Sequence, residues 1–553
     1  MMQPRVAPSE PVIVVGGDEL ALRVCEELLS RDAYAVTVLW KHAQELKEKF
    51  EALGAAFLGR EPNDAESLRR AGVDSAVSIL ILSNDDHVTL HVALKARDLN
   101  PDIRIVLRQF NRTLGRKIEE NLTNCSVFSL SAHSAATYAA AALDRGCFHG
   151  LQFPDIDGPL VGFSVRSIAR GGVAGMKRRD AEHRLGARIL AVDGRLEGDD
   201  DGLLPAGGRM VVFGPIASRP PDDVFDASQR RAATRSREFA RNLMRGFARL
   251  DPLIKRAAAA ALAIVAAATA YFSLVLKLDP LAALYYVVET ITTTGYGDIT
   301  PQAGGAPALA GAIALMLAGV TMTGIYIAIL SGKVNEAQWV AVQGLRHVRR
   351  RGHVVVCGAG NVGSRVIDYL IASRLKVVVV EAHPKPEIVE RSRDAHFDLL
   401  TGDATQDTTL DLCSLDHALA LVALTNSDTN NLEVALGARA RNPRLPIVMR
   451  CQEGDFANAI ARHFGIDKTY ATAALTAPAI ADLARSPSAR GRVVIEGRTF
   501  AIAERAPSEL DVANQAGRVV LATWQRGEFR SAVRFEDAAA AERVLYLEPL
   551  APR

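Results

Sequence analysis

The chain has 553 residues, which at about 150 residues per domain points to several folded units rather than one. Its 65 Lys and Arg balance 63 Asp and Glu, so a formal charge of +2 excludes an overall electrostatic case for nucleic acid as a partner, and a composition 49% hydrophobic and 23% charged excludes a disordered or collagen-like chain. Six scattered cysteines without a C-x-x-C pair argue against a disulfide framework or a structural zinc site, while a mean hydropathy of +0.08 leaves room for a short membrane part inside a long soluble chain.

No apolar run precedes Pro11, and Val12 to Val15 is too short for a signal-peptide core, so the N-terminus is expected to be cytoplasmic. From Pro11 to Leu39, PVIVVGGDELALRVCEELLSRDAYAVTVL reads as a buried strand, a glycine turn, an amphipathic helix and a second strand, the opening of a parallel α/β sheet. The turn carries Asp18 and Glu19 where an anionic phosphate would sit, so this unit, spanning 11–150, is expected to be a structural partner with a lost or altered ligand site. A tail follows over 151–217, in which Gly186 to Gly214 reads as short strands around acidic and glycine turns.

Residues 218–253 read as a linker. Arg237, Arg241, Arg245 and Arg249 recur every fourth residue, with Phe239, Leu243, Phe247 and Leu250 on the apolar side; this fits an interfacial helix on anionic inner-leaflet headgroups or a solvated basic linker. Ala257–Leu276 and Ala306–Leu330 are uncharged and long enough to cross about 30 Å of hydrocarbon, which gives two transmembrane helices within 254–332. Basic residues flank the pair on both sides in sequence, whereas the intervening loop holds only Lys277, so both termini are expected on the cytoplasmic side of the cell membrane.

The intervening loop is DPLAALYYVVETITTTGYGDITP, from Asp279 to Pro301. Its apolar part is too short to cross, and non-helical backbone at membrane depth is tolerated only where it lines a protein-enclosed aqueous path. The two glycines of Thr293-Thr294-Gly295-Tyr296-Gly297 permit backbone angles that aim successive carbonyls inward, and the Thr293 hydroxyl adds a further layer. Four copies about an axis could then replace the hydration shell of K⁺ at Thr293, Thr294, Gly295 and Tyr296.

Beyond a linker at 333–352, the opening pattern returns as HVVVCGAGNVGSRVIDYLIASRLKVVVVE, from His353 to Glu381, and the stretches from Ala76 and Ala418 also match, so whole domains repeat. This second unit spans 353–485, with a tail at 486–553. It carries G-x-G-x-x-G as Gly358, Gly360 and Gly363 around Asn361 and Val362, with Glu381 ending the next strand where a carboxylate can accept from ribose hydroxyls. The first unit has Trp40 in place of that acid.

The T-x-G-Y-G motif with its following Asp298, set between two spans, resembles the filter of two-helix potassium channels. That resemblance implies that Glu289 and Asp298 brace the filter from behind, that Gly319 and Gly324 on the second span act in gating, and that four identical chains assemble. The repeated unit resembles the Rossmann-like RCK (TrkA-N, TrkA-C) regulators of potassium channels and transporters. It implies a nucleotide site, for NAD(H) or an adenine nucleotide, that also takes in Asp403, Ala404 and Thr425. Calcium or another divalent cation binds in some members, but Thr425-Asn426-Ser427-Asp428 stands where further acids would be needed.

The expected architecture is two Rossmann-like α/β domains around an all-α pore domain, as a homotetramer with an eight-unit cytoplasmic ring and no enzymatic activity. Two alternatives stay open at this point: a membrane-anchored regulatory subunit of a potassium transporter, and a membrane-anchored Rossmann oxidoreductase.

Overall fold

The structure is a computed structural model. It describes residues 10–216 apart from 31–33, 42–43, 110–111, 152–158 and 197–201; residues 252–342; and residues 348–550 apart from 349, 395–396, 467, 507–517, 526–527, 532–537 and 539–540. The basic stretch from Arg230 to Arg249 lies outside the described residues. The chain divides into two compact units, one built from residues up to Pro221 together with those from His347 onward, the other from the residues between.

In the first unit, β1 (Glu10–Val15), β2 (Tyr34–Leu39), β3 (Ala56–Leu58), β4 (Ser78–Ile81), β5 (Arg104–Arg108) and β6 (Cys125–Phe128) form one sheet in the order β3-β2-β1-β4-β5-β6. Every pair is parallel. Strands buried on both faces need continuous apolar runs, which VIVV, SILI and RIVLR supply. The connecting helices are α1 (Glu19–Leu29), α2 (Gln44–Ala52), α3 (Ala65–Arg70), α4 (Asp86–Leu99) and α5 (Arg112–Asn121), and α6 (Leu130–Leu143) leads out of the sheet. The tail is a second, antiparallel sheet of β7 (Cys147–Leu151), β8 (Val161–Ser167), β9 (Arg188–Val192), β10 (Arg195–Leu196) and β11 (Arg209–Pro215), with α7 (Arg178–Leu185) beside it.

The intervening unit is helical: α8 (Pro252–Val275), α9 (Pro280–Ile291) and α10 (Gly305–Val342). Asp279 caps α9 by accepting from the Leu281 N–H, and Pro280 at its first position needs no donor. A small core of Phe272, Tyr286, Val287, Ala312 and Leu315 joins the three helices. The apolar windows Ala258–Val275 and Pro301–Ala328 are only 6% and 22% buried, a degree of bare hydrocarbon that water would not tolerate and lipid would.

The second copy repeats the first sheet with β12 (His353–Cys357), β13 (Lys376–Glu381), β14 (Asp398–Thr401), β15 (Ala418–Ala423), β16 (Ile447–Cys451) and β17 (Lys468–Ala471), ordered β14-β13-β12-β15-β16-β17 and parallel throughout. Its helices are α11 (Asn361–Ala372), α12 (Pro386–Arg393), α13 (Asp407–Leu412), α14 (Asp428–Arg441), α15 (Gly454–Phe464) and α16 (Thr472–Leu483). Its tail sheet holds β18 (Ala489–Ile495), β19 (Arg498–Arg505), β20 (Val519–Gln525), β21 (Glu528–Ser531) and β22 (Arg543–Pro549).

The two copies exchange helices. Val12, Val14, Val36, Val38, Leu80 and Val106 of the first sheet pack beneath Ala477, Ile480 and Leu483 of α16, and Val354, Val356, Val377, Val379 and Val422 of the second pack beneath Tyr138, Ala139 and Ala142 of α6. Polar ties fix the register: Arg104 Nε donates to the Leu483 carbonyl at 2.6 Å, and the Tyr138 hydroxyl donates to the Tyr470 carbonyl at 2.9 Å. The tail sheets share a core in which Phe163 and Phe213 meet Phe500 and Trp524. The repeated units are thus one folded body.

Candidate functional site

The loop between the two long helices leaves α9 at Thr292, whose hydroxyl donates back to the Val288 carbonyl at 2.8 Å. The N–H groups of Thr294 and Gly295 both reach the Glu289 carbonyl, at 2.9 and 3.3 Å, so donors of the loop are turned back toward α9. Thr293, Gly295 and Gly297 lie at φ +59°, +52° and +79°, with Thr294 and Tyr296 between them at negative φ. An extended chain alternates its carbonyl directions; a left-handed residue at every second position cancels that alternation and leaves carbonyls free to line one side. For Thr293, a β-branched residue, this conformation costs on the order of 1–3 kcal/mol.

Glu289 is buried on α9 at 5% exposure, and its Oε2 has no hydrogen-bond partner among the described residues. Asp298 is exposed and lies beside the hydroxyl of Tyr285, which stands one turn before Glu289 on α9. On α10, a Cβ at Gly319 would come within 3.0 Å of the Ile291 Cα, so this glycine lets α10 approach the end of α9. At Gly324 a Cβ would meet nothing within 4 Å.

The second cleft lies at the C-terminal edge of the β12 sheet. Gly358, Gly360, Asn361, Val362 and Gly363 form the turn from β12 into α11; Glu381 ends β13; Asp403 and Ala404 follow β14; and Thr425 follows β15. Since β13, β12 and β15 are neighbours, the topology gathers these residues where the strand order reverses, the general ligand position of doubly wound sheets. Gly358, at φ +98°, packs against Leu424 and Thr425, and a Cβ on Gly363 would fall 1.9 Å from the Gly358 carbonyl oxygen. Gly360 faces open space, which leaves room for a ligand to approach the α11 N-terminus.

Glu381 Oε2 accepts from the Ala359 N–H at 2.6 Å and Oε1 from the His383 N–H at 3.1 Å, which holds the carboxylate over the turn. Asp403 Oδ1 accepts from the Thr405 N–H at 2.9 Å. Sequence reading missed Asn431: fully buried, it accepts from the Thr425 N–H at 2.8 Å and donates to the Thr425 and Arg450 carbonyls. Asp428 accepts from the Gln452 N–H through both oxygens, and no group of three or more His, Cys, Asp or Glu side chains that could hold a metal occurs among the described residues.

In the first copy, Asp18 caps α1 by accepting from the Ala21 N–H at 3.0 Å, and its other oxygen faces Arg108 Nη1 at 3.5 Å. A fixed carboxylate therefore occupies the helix N-terminus that a phosphate would need.

The TrkA-N domain family matches residues 12–125 and again 354–471, and an ion channel family matches residues 259–336. The voltage-gated potassium channel Kch of Escherichia coli is 27% identical over 188 residues, 32% of this chain and 44% of that protein. A probable potassium channel protein 2 of Methanocaldococcus jannaschii is 27% identical over 33% of this chain and 54% of its own length. The chain thus spans about half of the curated relatives it matches. In fold, it resembles the GsuK channel, also solved bound to NAD, with a TM-score of 0.51 at 15% identity over 99% of this chain and 77% of that one. Two segments of the chain thus match the TrkA-N domain family and flank, in sequence, a segment that matches an ion channel family.

Proposed function

We propose that this protein is a K⁺-selective channel of the cell membrane, four chains around one axis, with both termini cytoplasmic. K⁺ passes along the carbonyls of Thr293, Thr294, Gly295 and Tyr296. The observation that carries the reading is the alternation of left-handed residues at Thr293, Gly295 and Gly297 in a loop between two lipid-compatible helices. Glu289 and Asp298 brace this loop from behind, with Tyr285 beside Asp298.

The second TrkA-N copy is the regulatory site, for NAD(H) or an adenine nucleotide, with a divalent cation as a further candidate. The open face of Gly360 and the placement of Glu381 fit a dinucleotide, and a channel of the same fold is known bound to NAD. Gly360 and the α11 N–H groups would receive phosphate, Glu381 the ribose hydroxyls, and Asp403, Ala404 and Thr425 would line the cleft. The first copy, capped by its own Asp18, serves as a structural partner. With four chains, eight TrkA-N copies are available for one ring. Ligand that binds open and closed rings unequally would bias α10 through the 333–352 connection.

Purified protein in a planar bilayer tests this. The expected result is a K⁺ current that excludes Na⁺ and changes open probability on addition of NAD⁺. No current from the protein alone would favour an accessory subunit of another transporter, and current that ignores nucleotides and divalent cations would remove the regulatory half.

A further inference from the structure

Where the two copies join, a half-open cavity of about 660 Å³ is lined by α5, β6, α6 and β7 of the first copy with α11 and the tail of the second. No residue of the glycine turn lines it. Its volume falls in the range of small-molecule sites, about 300–1,000 Å³, and exceeds what a few structural waters occupy at roughly 30 Å³ each.

The lining is polar in a particular way. Gln109 is 3% exposed, yet its Nε2 donor has no partner among the described residues. His133 Nε2 is equally without a partner there, while the ring's other nitrogen meets the Leu475 carbonyl. Burial pushes His133 down to about 4, so near pH 7 the ring is neutral and its Nε2 is a bare acceptor. Arg365, on the second turn of α11, has no partner among the described residues. Arg490 and Arg543 both pair with the single carboxylate of Glu504, and Glu119 accepts from the Val127 N–H at 2.7 Å, so positive charge is left over. Buried polar groups without partners in a roomy, net-basic cavity point to a ligand that supplies them.

We propose that this cavity binds a soluble organic phosphate of sugar-phosphate size, with its anionic group against Arg365 and the Arg490–Arg543 pair and its hydroxyl end on Gln109 and His133. Guanidinium groups from α11 and from the tail line the same cavity, and a dianion is the ligand they would favour. A bound molecule would bridge both copies and press on α11, the helix whose N-terminus forms the glycine turn, so the site would be regulatory. The proposal does not depend on the nucleotide reading of the glycine-turn cleft.

Titration calorimetry of the full-length protein in detergent, with ribose 5-phosphate and inorganic phosphate as probes, tests it. Ribose 5-phosphate should bind at least tenfold more tightly than inorganic phosphate. Arg365→Gln and Gln109→Ala should each weaken it at least tenfold, Arg365→Lys should recover part of the loss, and Glu381→Ala should leave it unchanged, with thermal melts reporting that each variant is folded. Absence of ribose 5-phosphate binding, equal affinity for the two probes, or affinity unchanged in both Arg365→Gln and Gln109→Ala would overturn the proposal. So would loss of binding in Glu381→Ala, which would assign the heat to the glycine-turn cleft.

Discussion

Gly360 and Gly363 share one turn but face different surroundings, and alanine separates their roles. At Gly363 a Cβ would stand 1.9 Å from the Gly358 carbonyl, so Gly363→Ala should destabilise the protein by about 2–3 kcal/mol, read as a lower Tm. At Gly360, with φ −67° and open space, Gly360→Ala should cost less than about 1 kcal/mol yet weaken NAD⁺ binding at least tenfold. Equal melting temperatures for the two variants would refute this division. The glycine spacing named both positions, because each role demands the same absent side chain. Asn431 was not legible, since its hydrogen bonds to Thr425 and Arg450 join positions whose contact only the folded sheet creates. Nor was the acid sensitivity of His149, which burial and then the neighbouring His133 depress to about 3. An unfolded histidine takes up its proton near pH 6.5, so stability is lost as pH falls below that value, and the loss stops growing near the folded value. At pH 5 the loss amounts to about 2 kcal/mol for this group. Thermal melts at pH 7.5 and 5 should therefore differ less in His149→Leu than in the natural protein, and an equal difference would exclude His149 as the cause.

The inner helix α10 combines two features that its sequence presents as one. Its 38 residues span about 57 Å at 1.5 Å per residue, far more than the hydrocarbon thickness, so the helix runs on past the span to Val342. Gly319 and Gly324 both read from sequence as gating glycines, but only Gly319 has a packing reason to be small, because Ile291 at the end of the pore helix sits against it. That partner is distant in sequence and leaves no local pattern. Gly319→Ala is expected to push on Ile291 and the proposed filter, Thr293 to Gly297, beyond it, lowering unitary conductance in bilayer recordings, whereas Gly324→Ala should leave conductance as it was. If Gly319→Ala instead keeps full unitary conductance and opens less often, the glycine is a hinge rather than a packing site. The extension past the span has its own test. Gln338→Pro breaks the helix between the spans and the second TrkA-N copy, at about 3 kcal/mol for an interior proline. It should abolish the effect of NAD⁺ on opening while NAD⁺ still binds. Retained ligand dependence would mean that coupling does not run along this helix.

At the scale of the whole molecule, the repeat was plain in the sequence, from the returning strand-turn-helix pattern to the tails that follow each sheet. The exchange of α6 and α16 between the copies was not. LSAHSAATYAAAAL and TAALTAPAIADL are both small-residue helices with little apolar asymmetry, so either fits over either sheet, and pattern alone cannot assign the partner. What decides is long-range and polar as well as apolar: Arg104 to Leu483, Tyr138 to Tyr470 and Thr472, and Arg492 between Glu27 and Asp482, all buried or half-buried. In the first copy alone, the sheet face formed by Val12, Val36, Leu80 and Val106 loses the cover of Ala477, Ile480 and Leu483, while α6 loses the sheet it rests on. Leaving Val12, Val36, Leu80 and Val106 uncovered forfeits up to about 1.5–3 kcal/mol each, a large part of the stability of a single domain. Residues 10–216 expressed alone should therefore not yield a stable monomer. They should appear as a dimer that exchanges α6 between chains, or aggregate, when size-exclusion chromatography is read by light scattering. A monodisperse monomer that unfolds cooperatively would show that the first copy closes its own core, and the exchange would then be a matter of packing rather than of folding.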